Sequence, residues 1–403
     1  MVSPLAAIRP SAANMSTARR MALFYAASFL LVGIQTPFWP VWLAGRGFGP
    51  ERIAWIFAAA IWAKVVATPA IGALADRLGR RRVVMLALAG LSLVAYAGLW
   101  PVAGFWAVLA LNLVAGTAQS ALMPLGDAAT LAAVRNEGAD YGRIRLWGSV
   151  TFILAAGGSG LLLARAASAG QGAEPVLALV VGASGLLLLA CLVVPATFGT
   201  ASRGAARWAA IARLATDRRF WLFTAAAAAL QSSHQLYYGF GSLYWRTLGF
   251  SDAVIGGLWA EGVVAEIVLF WFGARLAARL GPLGLMALGG GAGVLRWGLM
   301  GLVPGLGAAA ALQLLHALTF GASHLGAMYF MARTVPPAAA ASAQSLYAGL
   351  STGIGSGLVM LGAGRLYVAF GGEAYLFMAA LSALGIAGIA GLRAIGGRPS
   401  PAL

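Results

Sequence analysis

The feature that most constrains this chain is a series of apolar segments, each about 20 residues long, recurring from end to end with short connections between them. That length is what one helix needs to cross the hydrocarbon core of a bilayer. Windows of this size place spans near 22–43, 51–74, 83–100, 103–128, 144–164, 175–195, 220–246, 252–277, 283–303, 306–332, 341–367 and 373–394. Only 9% of the 403 residues are charged, against about 25% in soluble domains, so a water-facing surface cannot be assembled from the remainder. The alternating ten-residue pattern of an outer-membrane barrel is missing, while Ala, Leu and Gly abound. The expected fold class is an all-α membrane protein with twelve transmembrane helices.

The first twenty residues are polar and carry Arg9, Arg19 and Arg20. The apolar run that follows is far longer than a signal-peptide core and shows no convincing small-residue cleavage site, so it is expected to remain as the first span. Cys191 is the single cysteine, which excludes an intrachain disulfide.

With the amino terminus inside, 20 of the 27 basic residues fall on cytoplasmic segments and helix ends. Arg46, Arg52, Arg165, Arg246 and Arg365 fall on the other side, and Lys64 and Arg296 fall inside spans. This bias predicts both termini in the cytoplasm of a multi-pass protein of the cytoplasmic (inner) membrane. It also accounts for the net charge of +16 without nucleic acid as a partner.

The chain repeats itself. Ala75-Asp76-Arg77-Leu78-Gly79 after the second span is echoed by Ala277-Ala278-Arg279-Leu280-Gly281 after the eighth, 202 residues on and half the chain away. Two six-helix bundles are therefore expected, residues 1–195 and 220–403. Between them, 196–219 is an arginine-rich cytoplasmic linker that reads as an amphipathic surface segment.

Gly72-Ala73-Leu74-Ala75-Asp76-Arg77-Leu78-Gly79-Arg80-Arg81-Arg82 resembles the loop signature of the major facilitator superfamily at its usual place between spans two and three. The resemblance implies alternating access, by rocking of two halves about a site near the midplane. In that motif Gly72 and Gly79 permit close approach and a tight turn. Asp76, Arg77 and Arg80 supply ion pairs that open and close with the cytoplasmic gate; a loop that only fixes topology is the alternative. Asp140-Tyr141-Gly142-Arg143-Ile144-Arg145-Leu146-Trp147-Gly148-Ser149, with Arg296, His316 and Leu346-Tyr347, resembles the phenylpropionate permease group and, less closely, the lactose permease group of proton symporters.

Charges inside spans are costly, about 2.5–3.5 kcal/mol each at the bilayer centre on insertion scales, and mark function. Asp127 and Arg145 stand 18 residues apart on consecutive spans and can face one another. The lactose permease resemblance makes them substrate-binding candidates; a structural ion pair is the alternative. Lys64, the only lysine, is mid-span between Trp62 and Pro69, where it could bind a carboxylate facing water or else pair with Asp127 or snorkel toward an interface. Glu266, Arg296 and His316 occupy three successive spans and form a candidate proton-coupling group, with Glu261 as the other acid; a static Glu266-Arg296 pair is the alternative. The lactose permease pattern departs at Thr319 and Gly355, where an acid and a lysine would stand, so its proton path cannot be copied. His324 lies about 80° round an ideal helix from His316, so the two need not share a cavity. No Cys, His and carboxylate cluster has metal-ligand spacing, and no cofactor is expected. Trp39, Trp42, Trp100 and Trp245 near span ends read as interfacial belt residues, whereas Trp147, Tyr237, Tyr238, Trp259 and Trp297 lie deeper and could pack or stack on a ligand.

The expectation is a secondary transporter, not an enzyme: a monomeric proton symporter importing a small organic solute, an aromatic monocarboxylate ahead of a sugar or nucleoside. An efflux antiporter is disfavoured, because Gly157-Gly158 lacks the preceding proline of the antiporter pattern. A non-transporting membrane receptor comes last.

Overall fold

The computed structural model describes residues 15–195, 216–303, 305–335 and 340–396. The expected linker lies outside the described residues, apart from 216–219. Every regular element described is helical: α1 (Thr17–Gly45), α2 (Pro50–Leu78), α3 (Arg81–Ala97), α4 (Phe105–Glu137), α5 (Tyr141–Ser168), α6 (Pro175–Val193), α7 (Arg218–Ser232), α8 (Gln235–Thr247), α9 (Asp252–Met300), α10 (Leu306–Leu314), α11 (Ser323–Thr334), α12 (Ala340–Tyr347), α13 (Ser356–Phe370) and α14 (Tyr375–Gly396). π-helical segments Ala317–Ala322 and Ala348–Gly355 join α10 to α11 and α12 to α13.

Local chemistry sets the ends. The side chains of Ser16, Asp140, Asp217 and Ser251 accept from backbone N–H groups in the first turns of α1, α5, α7 and α9, while Pro50 and Pro175 open α2 and α6 where a missing N–H costs nothing. Gly79 stops α2 with φ +61°, and its repeat partner Gly281 breaks α9 with φ +66°. Both lie in the left-handed region, where a Cβ is penalised.

Eight helical stretches among the described residues are long and apolar enough to cross a membrane. Asp252–Met300, with 49 residues, and Ala343–Ile395, with 53, are each about twice the length of one crossing at 1.5 Å per residue.

α1 packs along α5 and α6, α3 against α4 and α6, and α2 against α4. A second group joins α9 to α14, α11 and the first π segment, and α7 to α14. The two largest seams between the groups are α5 with α9 and α2 with α13. Both rely on missing side chains: a Cβ on Gly160 would lie 2.4 Å from the Asp252 carbonyl oxygen, and one on Gly256 2.3 Å from that of Ala156. A Cβ on Gly364 would lie 2.8 Å from the Pro50 carbonyl oxygen. Small residues bring backbones together where lipid provides no hydrophobic drive. The seams close the end of the molecule that carries the α1–α2 and α8–α9 turns.

Three of the four tryptophans expected at the lipid interface are buried instead. Trp39, Trp42 and Trp245 sit in the core, with Trp39 stacked on Trp42 at 4.7 Å, because their indoles face neighbouring helices rather than lipid. Trp100 is exposed, as is Trp147, which sequence placed deeper.

Candidate functional site

Between the two helix groups lies a cavity of about 1010 Å³. Its lining runs from Trp39 and Asn112 near the sealed end to Tyr141, Arg145 and Phe270 toward the end carrying the α2–α3 loop. The volume accommodates a small organic molecule with water.

One wall is polar and uncharged except for Lys64. The Tyr96 hydroxyl donates to Gln119 Oε1 at 2.9 Å, Gln119 Nε2 donates to Gln35 Oε1 at 2.9 Å, and Trp39 Nε1 donates to Asn112 Oδ1 at 2.9 Å. Lys64 projects into the cavity from α2, and among the described residues it has no ion pair or hydrogen bond. Asp127, the partner that sequence allowed it, accepts from the Tyr25 hydroxyl instead.

Arg145 also lines the cavity, its guanidinium stacked on Phe29 at 4.1 Å and Tyr25 at 5.2 Å. Asp127 is not part of the lining and makes no ion pair with Arg145; Tyr25 touches both. On the facing wall, Glu266 reaches the cavity from α9. Glu261, five residues earlier on α9, does not line the cavity.

Arg296 is fully buried behind this wall and turns to other partners than Glu266. Its guanidinium donates to His316 Nδ1 at 3.1 Å, to Thr319 Oγ1 at 3.1 Å and to Gln313 Oε1 at 2.5 Å, and packs against Trp297 at 4.4 Å and Tyr237 at 4.8 Å. Because arginine can only donate, His316 Nδ1 accepts and the ring carries its proton on Nε2. Thr319, standing where the lactose permease pattern has an acid, also bonds His234 Nε2 at 3.1 Å.

His316 and His324 share the cavity after all, linked by Phe320 in a ladder of near-parallel rings with centroids 5.6 and 6.0 Å apart. The π segment is the cause. Its wider turn takes up an extra residue and cancels the drift an ideal α-helix accumulates between positions 316 and 324. Tyr238 and Trp259, with Tyr237 stacked on Trp259 at 4.2 Å, complete an aromatic face. Trp297 lies buried behind Arg296, outside the lining.

At the open end, Asp76 pairs with Arg81, Oδ1 standing 2.9 Å from Nε and 2.5 Å from Nη2. Arg77 and Arg80 are exposed, and a Cβ on Gly72 would meet nothing within 4 Å. The Asp76 pair thus stays within the loop here and holds the start of α3 to the end of α2.

Sequence reasoning missed Gln35, Asn112, Gln119 and Gln313. Uncharged amides inside apolar spans were the available signal, since a buried amide needs a partner as surely as a charge does.

A helical membrane protein with one central cavity, sealed at one end by paired glycine seams and lined from both helix groups, is built as a transporter. The chain belongs to the MFS_1 like family, whose profile matches residues 18–379. It is 30% identical over 371 residues to the "Probable 3-phenylpropionic acid transporter" of Escherichia coli (strain K12), covering 91% of this chain and 95% of that one. The "Maltose permease" of Geobacillus stearothermophilus is 26% identical over 374 residues, covering 90% and 91%. Among solved structures, the nucleoside transporter NupG superposes with a TM-score of 0.81 at 17% identity, covering 94% of this chain and 99% of that one. A bacterial homologue of the lysosomal transporter Spinster, in an inward-facing and unoccupied conformation, gives 0.76 at 14% identity, covering 96% and 98%. These relatives and neighbours are all transporters, and the protein is a multi-pass membrane transporter rather than an enzyme.

Proposed function

We propose that the chain is a proton-coupled symporter of the cytoplasmic membrane that imports a small aromatic monocarboxylate by alternating access. The observation that carries this reading is Lys64: an ammonium without a protein partner in a cavity whose facing wall is aromatic. A lone cation at that depth is costly, and a solute carboxylate offsets the cost while the rings of Tyr238, Trp259 and Phe320 cover an aromatic body. The 30% identity to a probable 3-phenylpropionic acid transporter supports the same solute class.

In this reading twelve spans form two halves: α1 to α6, then α7–α8, the arms of α9 on either side of Gly281, α10–α11, α12–α13 and α14. The arginine bias puts both termini and the 196–219 linker in the cytoplasm, so the cavity opens inward. Glu266, in the cavity and apart from the Arg296 network, is the group we assign to the proton. Arg145 faces it from the other half, while Arg296 and His316 shape the wall.

The test is uptake of labelled 3-phenylpropionate into proteoliposomes under an inward proton gradient. Accumulation should collapse when the gradient is dissipated and should fall steeply in Lys64→Gln. Uptake indifferent to the gradient would sink the coupling; competition by maltose or a nucleoside, but by no aromatic acid, would favour the sugar or nucleoside reading.

A further inference from the structure

The polarity of the hydrogen bonds around Lys64 bears on which end of a solute can sit there. Trp39 Nε1 has a hydrogen to give and no lone pair to accept with, so Asn112 must turn Oδ1 toward it. Asn112 therefore keeps its Nδ2 hydrogens uncommitted, and the residue lines the cavity while only 5% exposed. Gln35 Oε1 accepts from Gln119 Nε2, in a chain that ends on the Tyr96 hydroxyl. That hydroxyl can accept as well as donate, so the Trp39–Asn112 bond is the one whose direction the chemistry fixes.

Asn112 lies about 6 Å beyond the lysine in depth. Thr68 and Ser120 are 3.3 Å apart across α2 and α4, which run in the same direction. Lys64 lies one turn before Thr68, about 6 Å along the axis, and Asn112 two turns before Ser120, about 12 Å. Helical side chains lean toward their own N-terminus, so the Lys64 stem points toward the level of Asn112, a gap its four carbons can span. On α1, Trp39 reaches across to Asn112, and Gln35, one turn away, to Gln119.

We propose that Asn112, oriented by Trp39, is a specificity-determining residue that completes a donor-only cradle with Lys64 for a carboxylate end. The inference rests on the carboxylate reading above and adds its selectivity. A carboxylate is acceptor-only, so every N–H of the cradle finds an oxygen. A primary amide or an alcohol brings hydrogens that face N–H groups, and it leaves at least one of them unmatched. Trp39 is a positioning residue: through its hydrogen bond it decides which end of Asn112 the solute meets.

The experiment measures equilibrium binding of 3-phenylpropionate, 3-phenylpropanamide and 3-phenylpropanol to the purified full-length protein. In Asn112→Asp the acceptor for Trp39 survives while the donor becomes a second acceptor. Acid binding should weaken by at least about tenfold, as expected for losing a hydrogen bond to a charged group, while amide binding holds or improves. Trp39→Phe should lower the acid-to-amide ratio, because Asn112 can then present either end; a purely structural role would weaken both ligands alike. Should Asn112→Asp fail to fold, Asn112→Ser, which can both donate and accept, should show the same fall in ratio to a smaller degree. Wild-type binding of the acid with an unchanged ratio in the folded variants overturns the cradle alone. A wild-type protein that binds none of the three overturns the carboxylate reading and the cradle with it.

Discussion

Replacing Gly256 by alanine puts one methyl group into the seam between α5 and α9. The new Cβ would lie 2.3 Å from the Ala156 carbonyl oxygen and 3.2 Å from the Gly160 Cα, both backbone atoms that no rotamer change can move. Ordinary contact requires the helices to part there by about 1 Å, and overpacking of this kind costs about 1–3 kcal/mol. Only conformations with the seam closed bear that cost, so the balance should tip about 5- to 150-fold toward those in which α5 and α9 separate at this end. Spin labels at Gln171 and Thr247, both exposed at the sealed end, report the separation by pulsed dipolar spectroscopy. We expect a longer-distance population to grow in Gly256→Ala and in Gly160→Ala. The double variant should show less than the sum, because both methyls occupy one gap. An unchanged distance distribution in a monodisperse variant would refute the reasoning, since the seam would then accommodate a methyl without moving and could not set the conformational balance.

Three other outcomes follow from the same geometry. Asp76→Asn removes the charge that holds Arg81, so transport should slow while equilibrium solute affinity stays within a few-fold; a large loss of affinity in folded protein would put Asp76 in the binding site. Glu266→Gln should keep solute counterflow between equilibrated compartments but lose accumulation driven by a proton gradient, and retained accumulation would move the proton elsewhere. Arg296→Lys cannot reach His316, Thr319 and Gln313 together, so thermal unfolding should report a loss of about 2 kcal/mol, and an unaltered unfolding midpoint would show that the network adds nothing.

Membrane embedding, a helical fold and family were legible in the residues themselves. Apolar length and the absence of charge follow from one-dimensional composition, and the Asp76 loop is a contiguous string. The breaks at Gly79 and Gly281 were visible as a repeat, because left-handed backbone selects glycine wherever it occurs. The lining of the cavity was less legible. Lys64 could be singled out as a costly charge, but whether Asp127 paired with it depended on Tyr25, 102 residues distant in sequence. The Glu266-Arg296 pair suggested by adjacent spans gave way to Gln313, His316 and Thr319, since helix rotation decides which faces meet. His324 joined the cavity through a π turn that no periodicity argument contains, and the buried indoles of Trp39 and Trp42 were indistinguishable in sequence from lipid anchors. A sequence fixes how much each side chain costs in lipid. Which partner offsets that cost depends on the angular setting of packed helices, and only the tertiary structure decides it.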